Sequence, residues 1–415
     1  MEKRLLIQQV NMNGRIGTLI IEKGRVAKFD SSEVAPGLED SVWNARGMLL
    51  LPAFRDAHVH LDKAFPPDRW ISRTPVSSIL DQFQLEKELL ASCKNRRKEL
   101  AVRTLEAMLA AGTVEARVHV DIDPDIGLSH LELMLQLKED FASRMAIELV
   151  AFPQQGLLRS QSTPYIREAL RMGADLVGGV DPAGVDRHVE LSLHTMFELA
   201  AEFDKRIDLH LHDPGHLGVY TIEKMLEYSA EAGMKGKVTV SHAYGLGEVD
   251  TGLVAELGSR MAGEEMDLVT SVPIDTAMPP VPLLAKQGVK VSLATDHTGL
   301  DAWTPYGHPD ILRRGRLLAE KQVWNDDLRM ASVFQWMSNG SLELKAGDAA
   351  DFVLVHALNA PHALAALPKR QLVCKAGLPV AGALWQGKSN DNAWNNIPER
   401  SESPDEYDSL FGDYR

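Results

Sequence analysis

Two cysteines in 415 residues, Cys93 and Cys374, are too few for a disulfide framework or for a zinc site built on thiolates. A reduced compartment is the simpler setting for such a chain. No run reaches the roughly 18 uninterrupted apolar residues that a membrane-spanning helix requires. The N-terminus, MEKRLLIQQVNMNGR, turns polar after Ile7 and carries no leader core or small-residue cleavage site. These absences predict a cytoplasmic protein with no membrane partner. Positive charge is also in deficit: 44 Lys+Arg stand against 58 Asp+Glu, a formal net charge of -14. That balance argues against nucleic acid as a partner, because a phosphate backbone is held by cations. The basic run Lys94 to Lys98 then reads as a solvated face inside a helical stretch. Neither the cysteine-bearing signature of polynucleotide deaminases nor a Gly-x-x-x-x-Gly-Lys phosphate cradle occurs.

What remains is an ordinary globular composition, 45% hydrophobic and 25% charged. The length exceeds one minimal domain but suits an α/β barrel of about 250 residues with additions. Residues 1–50 alternate short β-type runs with turn residues, including Asn13-Gly14, which is hairpin chemistry. From Met48 the pattern changes to apolar runs separated by amphipathic helical stretches such as DQFQLEKELLASC and AVRTLEAMLAAG, the second stopped by Gly112.

Eight such runs follow: MLLLPAFRDAHVH, VEARVHVD, IELVAFPQQ, DLVGGVDP, IDLHLHD, VTVSHA, LVTSVPI and VSLATD. Continuous apolar strands alternating with helices indicate a parallel sheet, and eight in succession a (β/α)8 TIM barrel. β-type sequence returns in GDAADFVLVHAL and QLVCKAGLPVAGAL. The fold class expected is therefore α/β: a barrel over 51–344 with a small β-sandwich domain formed by both chain ends, 1–50 and 345–388. Residues 389–415 are polar and acidic and read as a loosely docked tail.

Polar and ionisable residues collect at the C-terminal ends of these runs, where barrels of this kind carry their chemistry. The first ends in Asp56-Ala-His58-Val-His60-Leu-Asp62-Lys63. Residues i and i+2 of a strand share a face, so His58 and His60 project together, half of a metal site. The fifth ends in His210-Leu-His212-Asp213, the sixth in Ser241-His242, and the eighth in Thr295-Asp296. Lys63 faces either a substrate or the solvated rim. Trp303 in DAWTPYG either stacks on a planar ring or packs in the core.

The strings DAHVHLDK, VHVD, VAFPQ, DLVGGVDPA, HLHDPG, TVSHA and the segment from ATD to DAWTPYG, in this order, resemble the amidohydrolase superfamily. The resemblance is to its cytosine deaminase and N-isopropylammelide isopropylaminohydrolase branch and spans about residues 1–387. It implies one divalent metal ion, Zn or Fe, held by His58, His60, His210 and Asp296. The fourth run has no lysine that could bridge a second ion. Such an ion brings the pKa of water from about 15.7 to about 7, ~12 kcal/mol towards hydroxide at neutral pH. The resemblance further makes Asp296 the general base and has His242 polarise the substrate or shuttle a proton. Gln154 matches an amide that binds the heterocycle, while His119 and His212 play supporting parts.

Asp213 departs from the pattern, since cytosine deaminases place a longer glutamate there. It either relays a proton or braces His212 or a loop. The implied activity is hydrolysis of an exocyclic C–N bond on a small nitrogen heterocycle, a cytosine-like pyrimidine or an aminotriazine, releasing ammonia or an alkylamine. Cyclic amide hydrolysis in the same site and a non-catalytic barrel descendant are the alternatives. The partner expected is a small heterocyclic amine, and the chain is compatible with a homo-oligomer.

Overall fold

The computed structural model describes residues 4–387 apart from 33, 66–69, 71, 73 and 339, together with 394 and 397. The N-terminal segment forms β1 (Leu5–Met12), β2 (Arg15–Glu22), β3 (Arg25–Asp30), β4 (Ser41–Asn44) and β5 (Leu49–Pro52). Asn13 and Gly14 both take positive φ, as the two-residue turn that joins β1 and β2 requires, and Lys23 and Gly24 repeat the device before β3.

Eight parallel strands follow: β6 (Phe54–Val59), β7 (Thr113–Asp121), β8 (Ala146–Phe152), β9 (Leu176–Val180), β10 (Arg206–Leu211), β11 (Val238–His242), β12 (Asp267–Thr270) and β13 (Val291–Leu293). They pair in sequence order, and a bridge between Val59 and Asp296 closes the barrel. Asp56 reinforces that seam: its carboxylate accepts from the Thr295 amide at 3.0 Å and from the Thr295 hydroxyl. The chain then returns to the first sheet as β14 (Phe352–Val355), β15 (Arg370–Lys375) and β16 (Leu378–Ala381), giving the order β16-β15-β14-β5-β1-β2-β3 with β4 also on β1. A barrel with a small β domain made from both ends is thus the architecture.

The small domain is one mixed sheet that forks at β1. Leu5–Gln8 pair with β4, Asn11 pairs with β5, and Gln9 takes a positive φ at the bulge between them. Alternation along β14 explains its unbroken apolar sequence. Phe352 and Leu354 fill the sheet's own core with Trp43 and Leu50, while Val353 and Val355 join the barrel-side core. Trp394 packs against Trp43 with ring centroids 5.4 Å apart and planes tilted by 54°, and it and Ile397 are buried in that core. The rest of the acidic tail lies outside the described residues.

Two sequence expectations change in detail. The run Met48 to His60 is two strands: Pro52 still pairs with β14 and Ala53 donates to Asp351 O at 3.0 Å, while Phe54 donates to Gly112 O and begins the barrel sheet. The basic run Lys94 to Lys98 spans a 3-10 turn, Lys94–Arg96, between the helices Ile79–Ala91 and Arg97–Ala110 instead of lying inside one. Gly112 ends the second helix with φ 100°, and a side chain there would meet Val353 and Phe54 at about 3 Å.

Candidate active site

The strand ends that carry the site are bent where they meet it. Asp181, His242, Val272 and Asp296 follow or end β9, β11, β12 and β13, and all four hold positive φ. Outside glycine such backbone costs on the order of 1–3 kcal/mol per residue and clusters at functional sites. Here it turns each chain sharply over the mouth of the barrel.

His58, His60 and His210 converge as the strand register dictates, all of them buried. Nε2 of His60 lies 3.4 Å from Nε2 of His210. Oδ1 of Asp296 lies 3.6 Å from His60 Nε2 and 3.8 Å from His58 Nε2. Ligands about 2.0–2.1 Å from a tetrahedral ion stand about 3.3–3.4 Å from one another, and these three separations are equal to or slightly wider than that. Among the described residues, His58 Nε2 has no hydrogen-bond partner. Burial, and then the charge of neighbouring groups, holds all three imidazoles well below their ordinary pKa and therefore neutral, the form that binds metal. Burial alone would raise Asp296, but His297 and His242 draw it below the usual carboxylate range. The residues present fit a divalent cation.

His242 stands beside this cluster, its ring centroid 4.8 Å from that of His58 and 4.7 Å from that of His212. Burial lowers its pKa to about 3, so it is a neutral imidazole able to accept or donate a proton. Its Nδ1 lies 3.3 Å from the Tyr244 hydroxyl. Asp181 accepts from the His212 amide at 2.5 Å and pairs with His212 Nδ1 at 2.9 Å, fixing that ring against His242. Asp213 faces elsewhere. Its oxygens accept from the backbone amides of Ala183 at 3.2 Å and Gly184 at 2.9 Å, in the loop after β9. Burial, and then Asp181, pushes its pKa up to about 6.

On the other flank, Lys63 is buried among acceptors. Its ammonium pairs with Asp121 Oδ1 at 3.0 Å and Glu86 Oε1 at 3.6 Å, and donates to Gln154 Oε1. Those carboxylates outweigh burial and keep Lys63 charged, which removes the solvated-rim reading. Gln154 donates in turn to Glu86 Oε2 at 2.5 Å, so its amide is fixed in orientation. Trp303 donates its indole N–H to the same oxygen at 3.1 Å, and its ring lies 6.3 Å from that of His297 at an interplanar angle of 24°. Trp303 is half-buried and also packs against the apolar clusters of Phe65 and Phe83, its ring centroid 5.8 Å from that of Phe83.

Sequence reasoning missed Glu86, Asp121, Asp181, Tyr244 and His297. Asp121 and Asp181 end barrel strands just as the proposed ligands do, so position alone would have found them. His297 pairs with Asp301 at 2.7 Å, and with Asp296 this raises its pKa to about 9 against the effect of burial. Glu86 had no signal, because in DQFQLEKELL it is one acidic residue among several on an amphipathic helix.

Known proteins are similar to this chain in sequence and fold. N-isopropylammelide isopropyl amidohydrolase of Pseudomonas sp. (strain ADP) is 32% identical over 374 residues, covering 85% of this chain and 90% of its own. The crystal structure of N-isopropylammelide isopropylaminohydrolase from Burkholderia multivorans superposes with a TM-score of 0.84 at 32% identity, over 92% of this chain and 99% of that one. That of 5-methylcytosine deaminase from Klebsiella pneumoniae, with 5-fluorocytosine bound, gives 0.76 at 19% identity, over 93% and 98%, and shares the fold. Among the described residues no helix is long and apolar enough to cross a membrane. Residues 41–366 match the model of the amidohydrolase family, and the chain belongs to that family of hydrolases acting on carbon–nitrogen bonds.

Proposed function

We propose that this chain is a cytoplasmic, metal-dependent aminohydrolase that removes an exocyclic amine from a small nitrogen heterocycle. One observation carries the reading: three neutral, buried imidazoles form one cluster, and the Asp296 carboxylate lies 3.6 Å from His60 Nε2 and 3.8 Å from His58 Nε2. The aminotriazine-acting relatives at 32% identity support an N-alkylated triazine over cytosine as the substrate class. His58, His60, His210 and Asp296 would hold one zinc or iron ion. When bound, the ion supplies the Lewis acidity that makes water a nucleophile at neutral pH.

The chain's own residues do the rest. Trp303 gives the planar ring a stacking face, and Gln154 offers an amide whose orientation Lys63 and Glu86 fix. Water adds to the ring carbon bearing the amine, and Asp296 takes its proton. His242, neutral at the outset, donates to or accepts from the adjacent heteroatom as charge develops. Asp296 then returns that proton to the amine nitrogen as the C–N bond breaks, so the amine leaves neutral and the ring keeps the added oxygen. Asp213 serves by bracing the loop after β9; its two bonds to backbone amides support that role over a proton relay.

Product mass tests the reaction class. Loss of an amine with an oxygen gained at the ring supports the proposal, whereas addition of water with no amine released assigns cyclic amide hydrolysis.

A further inference from the structure

His58 differs from the other two imidazoles on its far side. Its Nδ1 lies 2.9 Å from the Ser241 hydroxyl, and that hydroxyl lies 2.7 Å from Asp208 Oδ1. Asp208 is fully buried, and Arg117 Nη1 donates to its other oxygen at 2.6 Å. Arg117 also donates to Thr239 at 3.1 Å and to Glu148 at 3.2 Å. Glu148 accepts from Arg206, and both of these side chains reach solvent. A continuous polar chain therefore runs from the surface into the barrel core and ends on a proposed metal ligand. Nδ1 of His60 and of His210 has no hydrogen-bond partner among the described residues.

Proton counting gives this chain a direction. A carboxylate paired with a guanidinium only accepts, so the single Ser241 proton goes to Asp208. The Ser241 oxygen must then accept from His58, which places the ring proton on Nδ1 and the lone pair on Nε2, facing His60, His210 and Asp296. His119, stacked on His58 at 3.7 Å between centroids, restricts the ring further. We infer that Asp208, acting through Ser241, is a positioning residue that fixes the metal-binding tautomer of His58. The inference rests on the reading of His58 as a metal ligand.

Asp208→Asn tests the direction of the chain without changing its shape. The Arg117 guanidinium needs an acceptor, so the new amide turns its oxygen to Arg117 and its NH2 to Ser241. Ser241 then sends its proton to His58 Nδ1, and the ring proton moves to Nε2, where it blocks the ion. Partners behind a metal-binding histidine commonly change affinity 10–100-fold. Zinc added to the chelator-stripped full chain is expected to bind Asp208→Asn about 100-fold more weakly and Ser241→Ala about tenfold more weakly than the parent. In the metal-free chain, 15N-histidine spectra should report Nδ1–H for His58 in the parent and Nε2–H in Asp208→Asn. A merely structural role for Asp208 would lower thermal stability and leave the tautomer unchanged. A parent that binds one zinc, with both variants within twofold of it, overturns this inference and leaves the metal site standing. A parent that binds none overturns the metal reading itself. Should Asp208→Asn fail to fold, Ser241→Ala decides alone: unchanged affinity refutes the coupling.

Discussion

His60 and His210, 150 residues apart in sequence, bring their Nε2 atoms to 3.4 Å of each other in the mouth of the barrel. That distance suits a shared proton or, as proposed, a shared cation. The Asp296 carboxylate, 3.6 Å from His60 Nε2, favours the cation. His210→Ala is expected to lose stoichiometric zinc binding and at least about 10³-fold in kcat/KM, since a catalytic metal supplies several kcal/mol. Equilibrium dialysis alongside steady-state rates checks both, and a variant retaining full zinc occupancy contradicts the ligand assignment.

Trp303 joins two segments distant in sequence, the loop after β13 and the helix Ile79–Ala91, through its bond to Glu86. Gln82, which donates to Ala302 O at 2.8 Å, makes a second tie. Trp303→Phe keeps an aromatic face but deletes the indole donor. A hydrogen bond of about 0.5–1.5 kcal/mol corresponds to a rise of about 2- to 10-fold in KM with a smaller change in kcat. A kcat loss with KM unchanged would show that Trp303 contributes in the transition state and not in ground-state binding.

Asp213→Ala separates a brace from a relay. Two backbone amides lose their acceptor, and the protein should lose about 1–3 kcal/mol of stability while kcat falls less than about tenfold. Denaturant unfolding and rates measured on the same sample check this. A folded variant with stability unchanged and kcat reduced about 10³-fold would restore the proton-relay role.

Glu148 links pH to stability. Burial would raise its pKa, but Arg117, Arg206 and Arg55 together hold it at about 2. Its contribution is therefore complete above its ordinary value of 4.5 and is lost as pH falls from there towards 2. A third of the side chain is exposed, so screening limits the effect to on the order of 1–2 kcal/mol. Glu148→Gln should be less stable than the parent at pH 7, with the gap closing below pH 4.5. A gap that stays constant with pH would show that Glu148 acts through packing.

The barrel was legible in the sequence because its strands are buried on both faces and read as unbroken apolar runs. The candidate ligands were legible because parallel strands deliver their last residues to one rim. The junction at Ala53 was not, since a sheet-to-sheet crossing inside MLLLPAFRDAHVH leaves the apolar run intact and only Pro52 marks it. The Asp213 geometry was hidden as well. Whether a carboxylate faces a cavity or a neighbouring loop depends on where β9 ends, which residues near β10 do not encode. Ser241 was visible beside His242, but its meaning depends on Asp208 and Arg117, which only the closed barrel brings together.

The most direct test of the central claim is amine release from an N-alkylated aminotriazine as zinc is returned to the chelator-stripped protein. The account predicts no alkylamine without metal and a rate rising linearly to a plateau at one ion per chain. A chain that binds one zinc and releases no amine from that substrate or its free-amino and pyrimidine counterparts would contradict it.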